Sequence, residues 1–257
     1  LKDAARRASA ERALRGALSD CRRLLSERGA ANSVAIAGSL VARFAALPDE
    51  QRSSFFERLA RDFSPDPKAV LASAQAYADE PSARNLVQLM QLSEPPRQEL
   101  LRRINRAPGG TASVIAMRRS LLARLAKKPE QQALEADLLH LLSSWFNPGF
   151  LHLQRVDWNA PAQLLEQIIH HEAVHQIDGW DDLRRRLQPD RRCFAFFHPQ
   201  LPHEPLIFVE VAVLAEMPAH IAPLIAKGST PLAAGRFKVA AFYSISNCQP
   251  GLKGVSL

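Results

Sequence analysis

At Phe146-Asn147-Pro148-Gly149-Phe150 the chain changes its texture, and that break constrains the fold more than any other feature. Before it, the sequence reads as helices alone. Start signals recur at Leu47-Pro48-Asp49, Ser64-Pro65-Asp66-Pro67, Asp79-Glu80-Pro81-Ser82, Ser93-Glu94-Pro95-Pro96 and Pro108-Gly109-Gly110-Thr111. A Ser, Asp or Thr at the N-cap accepts an orphan backbone N–H, and proline in the first turn removes one. Between the signals the apolar residues keep helical spacing. Leu134, Leu138, Leu142 and Trp145/Phe146 form one stripe, and Leu86, Leu89 and Met90 another. Both are expected in the core of an α-helical bundle.

After the break the pattern mixes. A short run, Leu151–Trp158, leads to Asn159-Ala160-Pro161, a helix start. One helix is expected to about Ile177 and a second over Trp180–Leu187. Three β-type runs follow, Cys193–His198, Leu206–Val213 and Val239–Ser246. The proline-rich connector between the first two is short enough for an antiparallel hairpin. Ala219–Ala226 reads as a short helix and Lys227–Arg236 as a loop. The expected fold class is therefore α+β, with helical residues 1–147 followed by a second domain over residues 148–257.

Charge is placed unevenly. Residues 147–257 hold 10 Lys/Arg against 10 Asp/Glu, so the whole net charge of +7 lies in the first 146 residues. The arginines there are scattered singly and in pairs without interleaved aromatics. That reads as solvated helix faces and not as a nucleic-acid surface. No run of about 18 apolar residues occurs, so no membrane span is expected. The Arg- and Ala-rich start has a transit peptide's composition, but Asp3, Glu11 and continuous helical spacing favour an ordinary first helix. Three cysteines without metal-like spacing argue against a disulfide framework and for a reducing compartment, the cytoplasm.

Several constellations carry possible chemistry. His171-Glu172-Ala173-Val174-His175 matches H-E-x-x-H, which on a helix presents two imidazoles to a zinc ion with Glu as general base. A zinc peptidase is thus one alternative, although Asp178 stands where the turn glycine usually follows. His198 and His203 flank the hairpin turn, where an acid/base pair or simple exposure are both open. Ser244 and Ser246 alternate on the third β-type run, with no nucleophile elbow around either. Cys248 at the same corner is either a reactive thiol or a small buried residue.

The strongest signal is the tail. The β-type run breaks at Asn247-Cys248-Gln249-Pro250 and enters the turn Gly251-Leu252-Lys253-Gly254-Val255. Strand, glycine turn and helix start is a layout that aims backbone N–H groups at a phosphate, and Lys253 adds a cation. It resembles the Gln-x-x-Gly-x-Gly loop with which acyl-CoA N-acyltransferases of the GNAT class hold a coenzyme A pyrophosphate. Here Leu252 stands in the inner glycine's place.

Longer stretches resemble malonyl-CoA decarboxylases: Glu94–Ala112, Ser144–Ile169, Glu172–Pro199, Glu204–Val213 and Phe242–Val255, together most of the chain beyond about Asp49. The resemblance implies an α-helical N-terminal domain, through which the family forms homo-oligomers, followed by a GNAT-like catalytic domain with a mixed sheet. It implies decarboxylation of malonyl-CoA to acetyl-CoA and CO2 in fatty-acid metabolism. It requires no metal or organic cofactor and no nucleic-acid or membrane partner. The family's coenzyme-binding turn maps onto Lys253, Gly254, Val255, Ser256 and Leu257, with Gly251, Gln249 and Ser246 beside it. The Glu-Ala-Val-His stretch is expected to be structural helix, with His171 a chance addition. The family's catalytic serine and histidine belong to Ser-x-Ile-Pro-type and Asn-x-x-x-x-Phe-His-type segments that these residues do not contain. No catalytic residue is therefore expected in this chain, and the 257 residues alone are expected to be inactive. An inert module for oligomerisation and coenzyme binding is the other alternative.

Overall fold

A computed structural model describes residues 2–257, with side chains from Arg7 onward. The chain divides into two compact units, residues 1–144 and 145–257. The first is built of helices: α1 (Lys2–Ser26), α2 (Ala30–Ala46), α3 (Asp49–Asp62), α4 (Pro67–Asp79), α5 (Ala83–Ser93), α6 (Pro96–Asn105), α7 (Gly110–Leu125) and α8 (Gln132–Trp145). Two of the start signals cap by side chain, while α3, α6 and α7 begin at Pro48, Pro95 and Gly109 without a side-chain cap bond. Asp66 accepts from the Lys68 amide at the head of α4, and Ser82 from the Asn85 amide at the head of α5. The glycine pair before α7 has a steric reason. Gly109 sits at φ 69°, and a Cβ on Gly110 would lie 2.0 Å from the Ile104 carbonyl oxygen.

Phe44, Phe55 and Phe56 meet as a tilted aromatic cluster with centroids 5.2–6.1 Å apart. Leu134, Leu138 and Leu142 are buried as their spacing requires. The α5 stripe is not. No residue of α5 is buried, and Met90 is 64% and Val87 51% exposed. Periodicity reports one apolar face of a helix, and among the described residues nothing covers this one. Nor are all the arginines solvated. Arg97 reaches Asp137 at 2.5 Å and Arg118 reaches Glu135 at 2.7 Å, both guanidiniums being buried. Part of the basic excess is thus interior cross-linking.

The second unit holds one sheet in the order β1-β2-β3-β4: β1 (His152–Val156), β2 (Arg191–Phe197), β3 (Ile207–Leu214) and β4 (Val239–Asn247). Every pairing is antiparallel, so the mixed character expected of the sheet is not found among the described strands. Between β1 and β2 run α9 (Ala162–His171) and α10 (Gly179–Arg186). They bury Leu165, Ile168 and Leu183 against Val156, Cys193, Ala195, Phe197 and Phe208. A short helix, α11 (Ala222–Ile225), interrupts the long connection from β3 to β4. β1 falls within the run Leu151–Trp158 and is exposed until Val156. The opposite face of the sheet carries Phe242 at 71%, Ile245 at 61% and Leu153 at 55% exposure.

β4 carries an irregularity. Glu210 pairs with Ser244 but Val211 pairs with Phe242, leaving Tyr243 as an extra residue. Such a bulge bends its strand and raises the local twist. It lies just before the segment that leads into the tail.

Candidate functional site

The tail is anchored from inside. The Cys248 amide donates to the Leu206 carbonyl at 2.9 Å, and Gly251 and Leu252 are buried. Leu252, in the place of an inner glycine, is thus an apolar plug that seats the turn on the unit. Pro250–Leu252 forms a single 3-10 turn, closed by the Leu252 amide on the Gln249 carbonyl. The Val255 amide donates to Leu252 at 2.9 Å, and Gly254 takes φ 82°. A side chain at that φ is strained, so glycine there is a backbone requirement.

Beyond the plug the residues face outward. Lys253, Gly254 and Ser256 are exposed, while Val255 and Leu257 are half-buried. The helix expected after this turn is not among the described residues. Lys253 and Gly254 form the outer turn, Val255, Ser256 and Leu257 follow it as irregular chain, and Gly251 is buried before it. Gln249 is turned aside, its amide donating to Glu204 at 3.0 Å. Ser246 points inward and is 1% exposed.

Ser246 and Ser244 lead to Glu172. Both carboxylate oxygens of Glu172 accept from Ser244 Oγ at 2.8 Å, and one accepts from Ser246 Oγ at 3.2 Å. The amides of Val174 and His175 donate to the other at 2.8 and 2.7 Å. This overturns the reading of His171-Glu172-Ala173-Val174-His175 as a helix, zinc-binding or structural. α9 stops at His171, and Glu172 is its C-cap with ψ 111°. The cause is local competition: the carboxylate takes amides that the next helical turn needed. His171 and His175 consequently share no helix face, and the general base of the peptidase reading is occupied as an acceptor. Among the described residues no three His, Cys, Asp or Glu side chains converge as metal ligands do.

The other singled-out groups are structural. His198 is buried, with Nε2 donating to the Trp145 carbonyl at 3.1 Å and Nδ1 accepting from the Gln200 amide. Its ring packs on Phe146 at 4.5 Å, and burial lowers its pKa, so it stays neutral. His203 is exposed and apart from it. Cys248 is buried with its thiol pushed up to about 12, chiefly by burial, so it is no nucleophile at neutral pH.

Sequence reasoning missed a buried ionic group. Arg186 on α10 donates to Glu210 at 3.0 Å and Asp182 at 3.2 Å, all three within 3% of full burial. Arg185 and Arg191 likewise close on Asp190. The one signal for them was the dense run Asp181-Asp182-Leu183-Arg184-Arg185-Arg186, which reads as an ordinary solvated face.

Two family models match, and they meet at the texture break. Residues 63–146 match the malonyl-CoA decarboxylase N-terminal domain and residues 149–257 its C-terminal domain. This chain belongs to the malonyl-CoA decarboxylase family. A solved malonyl-CoA decarboxylase from Rhodopseudomonas palustris superposes with a TM-score of 0.88 at 48% identity, over 93% of this chain and 59% of that one. One from Agrobacterium vitis gives 0.88 at 45% identity, over 93% and 58%. The mitochondrial malonyl-CoA decarboxylase of Mus musculus is 34% identical over 221 residues, which is 80% of this chain and 45% of that protein. The chain thus spans less than half the length of that curated relative. The tail turn lies wholly inside the segment that matches the family's C-terminal domain.

Proposed function

We propose that this chain carries the helical region and the coenzyme-binding corner of an enzyme that decarboxylates malonyl-CoA to acetyl-CoA and CO2. Loss of CO2 leaves an electron pair on the α-carbon, which the thioester carbonyl accepts as an enolate. Catalysis then calls for donors at the enolate oxygen, a hold on the departing carboxylate, and a proton for carbon. The thioester is itself the electron sink, so the chemistry calls for no further cofactor. By the resemblance, carboxylate hold and proton transfer belong to a serine and a histidine in segments these residues lack. What this chain supplies is the grip on the nucleotide end. The observation that carries the reading is the exposed Lys253–Gly254 turn, seated on a buried Leu252 at the mouth of β4. A cation beside a glycine with positive φ lets backbone approach a diphosphate closely.

The test is a calorimetric titration of the chain with coenzyme A, together with an assay of CO2 release from malonyl-CoA. Binding without turnover is expected. Gly254→Val is expected to weaken binding by about tenfold, because ~1–2 kcal/mol of backbone strain displaces the turn. Unchanged affinity in that variant removes the diphosphate assignment, and full turnover by the 257 residues removes the assignment of catalysis elsewhere.

We also infer that the helical region meets a second copy of itself. Support comes from the α5 face, where Val87 and Met90 stand one turn apart at 51% and 64% exposure. Met90→Glu is expected to shift sedimentation toward the monomer, whereas an unchanged profile places the contact elsewhere. For location, three buried free thiols support a reducing compartment such as the cytoplasm, while the curated relatives are named mitochondrial. No helix among the described residues is long and apolar enough to cross a membrane.

A further inference from the structure

Glu172 is 7% exposed, and its carboxylate is held by amide and hydroxyl donors. A buried carboxylate is costly unless its lone pairs are met. Here they are met by four donors, the amides of Val174 and His175 and the hydroxyls of Ser244 and Ser246. A carboxylate offers about four acceptor positions and an amide side chain half as many, so the donor set fits the acid. The Ala173 amide closes the circuit by donating to Ser246 Oγ at 3.2 Å. Four hydrogen bonds thus tie the loop after α9 to Ser244 and Ser246 of β4. Among the described strands β4 lies at the edge of the sheet, with a bulge at Tyr243. The tie grips it between that bulge and the turn, and Ser246 stands seven positions before Lys253.

We propose that Glu172 is the positioning residue of the coenzyme corner: by clamping Ser244 and Ser246 it fixes the path of β4 and hence the aim of the Lys253–Gly254 turn. This rests on the reading of that turn as the diphosphate grip. The clamp acts through β4 and touches no ligand. Its loss changes affinity because an untethered strand end must be ordered when the ligand binds.

The experiment measures coenzyme A affinity by calorimetry at a temperature well below unfolding, for the wild type, Glu172→Ala, Glu172→Gln, Ser244→Ala with Ser246→Ala, and Glu172→Ala combined with both serine changes. Hydrogen exchange of residues 239–257 is followed in parallel. Glu172→Ala is expected to lose about tenfold or more in affinity and to speed exchange in β4 and the turn, with β1 and β2 unchanged. Glu172→Gln retains part of the tie and is expected to recover part of the affinity. The combined variant is expected to lose no more than Glu172→Ala alone, since residues acting as one unit are non-additive. A lowered melting temperature with unchanged affinity in the single variants makes Glu172 merely structural and overturns the proposal. So do additive losses. Should Glu172→Ala fail to fold, Glu172→Gln and the serine pair decide by the same criteria. A wild type that binds no coenzyme A overturns the reading of the turn itself, and is told apart because no variant comparison is then involved.

Discussion

Arg186→Ala is expected to destabilise the second unit by about 3–5 kcal/mol, the range for stripping one partner from a buried ionic group. The arginine is 2% exposed and joins three elements. Its Nε meets Asp182 one turn back on α10, one terminal nitrogen meets Glu210 on β3, and the other donates to the Gln176 carbonyl at 3.2 Å. Removing it leaves two carboxylates facing each other across the helix–sheet seam. Restoring water is not an option there, because Asp182 and Glu210 are 2% and 1% exposed. Urea denaturation followed by tryptophan fluorescence measures this unit directly, since Trp145, Trp158 and Trp180 all lie within residues 145–257. The same loss combined with Asp182→Asn and Glu210→Gln is expected to be much smaller, because no charge is then stranded. A loss below about 1 kcal/mol for Arg186→Ala alone contradicts the network as described.

What was legible in the chain, and what was not, follows from the range of the interactions involved. Helix starts were legible because Asp66 and Ser82 act on amides two and three residues away. The tail turn was legible for the same reason: glycine spacing and a lysine are local facts. The α9 end was not. Glu172 breaks the helix with its own side chain, but it stays buried there because Ser244 and Ser246, more than 70 residues on, meet its carboxylate. β1 was read only as a short run because an edge strand exposed on both faces shows no alternation. The α5 stripe misled in the opposite sense, since amphipathic spacing states that a face wants cover without stating what covers it. The arginines were misread as solvent-facing because pairing partners such as Asp137 for Arg97 lie 40 residues away.

The second large effect is a pH dependence that runs against the usual carboxylate trend. Burial pushes Glu210 from about 4.5 to about 7, with Arg186 opposing and Glu172 adding to the rise. Hydrogen bonds from Arg186 and Tyr243 also oppose the rise, and burial outweighs them. A carboxyl group whose folded pKa lies above its unfolded value takes up a proton on folding between the two. Stability from this group is therefore full below about pH 4.5, falls as pH rises toward 7, and is lost above it. Asp190 works the other way: burial opposes its ionisation, but hydrogen bonds from Arg185 and the Leu232 amide still hold it low, so its contribution fades as pH falls. The two trends overlap in the wild-type curve, and only a paired comparison separates them. Glu210→Gln keeps the shape and removes the titration. The unfolding free energy of the wild type minus that of Glu210→Gln is expected to fall by about 3 kcal/mol between pH 4.5 and 7, at up to ~1.4 kcal/mol per pH unit. A difference that stays flat across this window shows that Arg186 keeps Glu210 ionised throughout. In either case Arg186→Ala removes the cation that lowers the Glu210 pKa, so its loss is expected to be smaller at pH 5.5 than at pH 8, because the stranded acid takes up a proton.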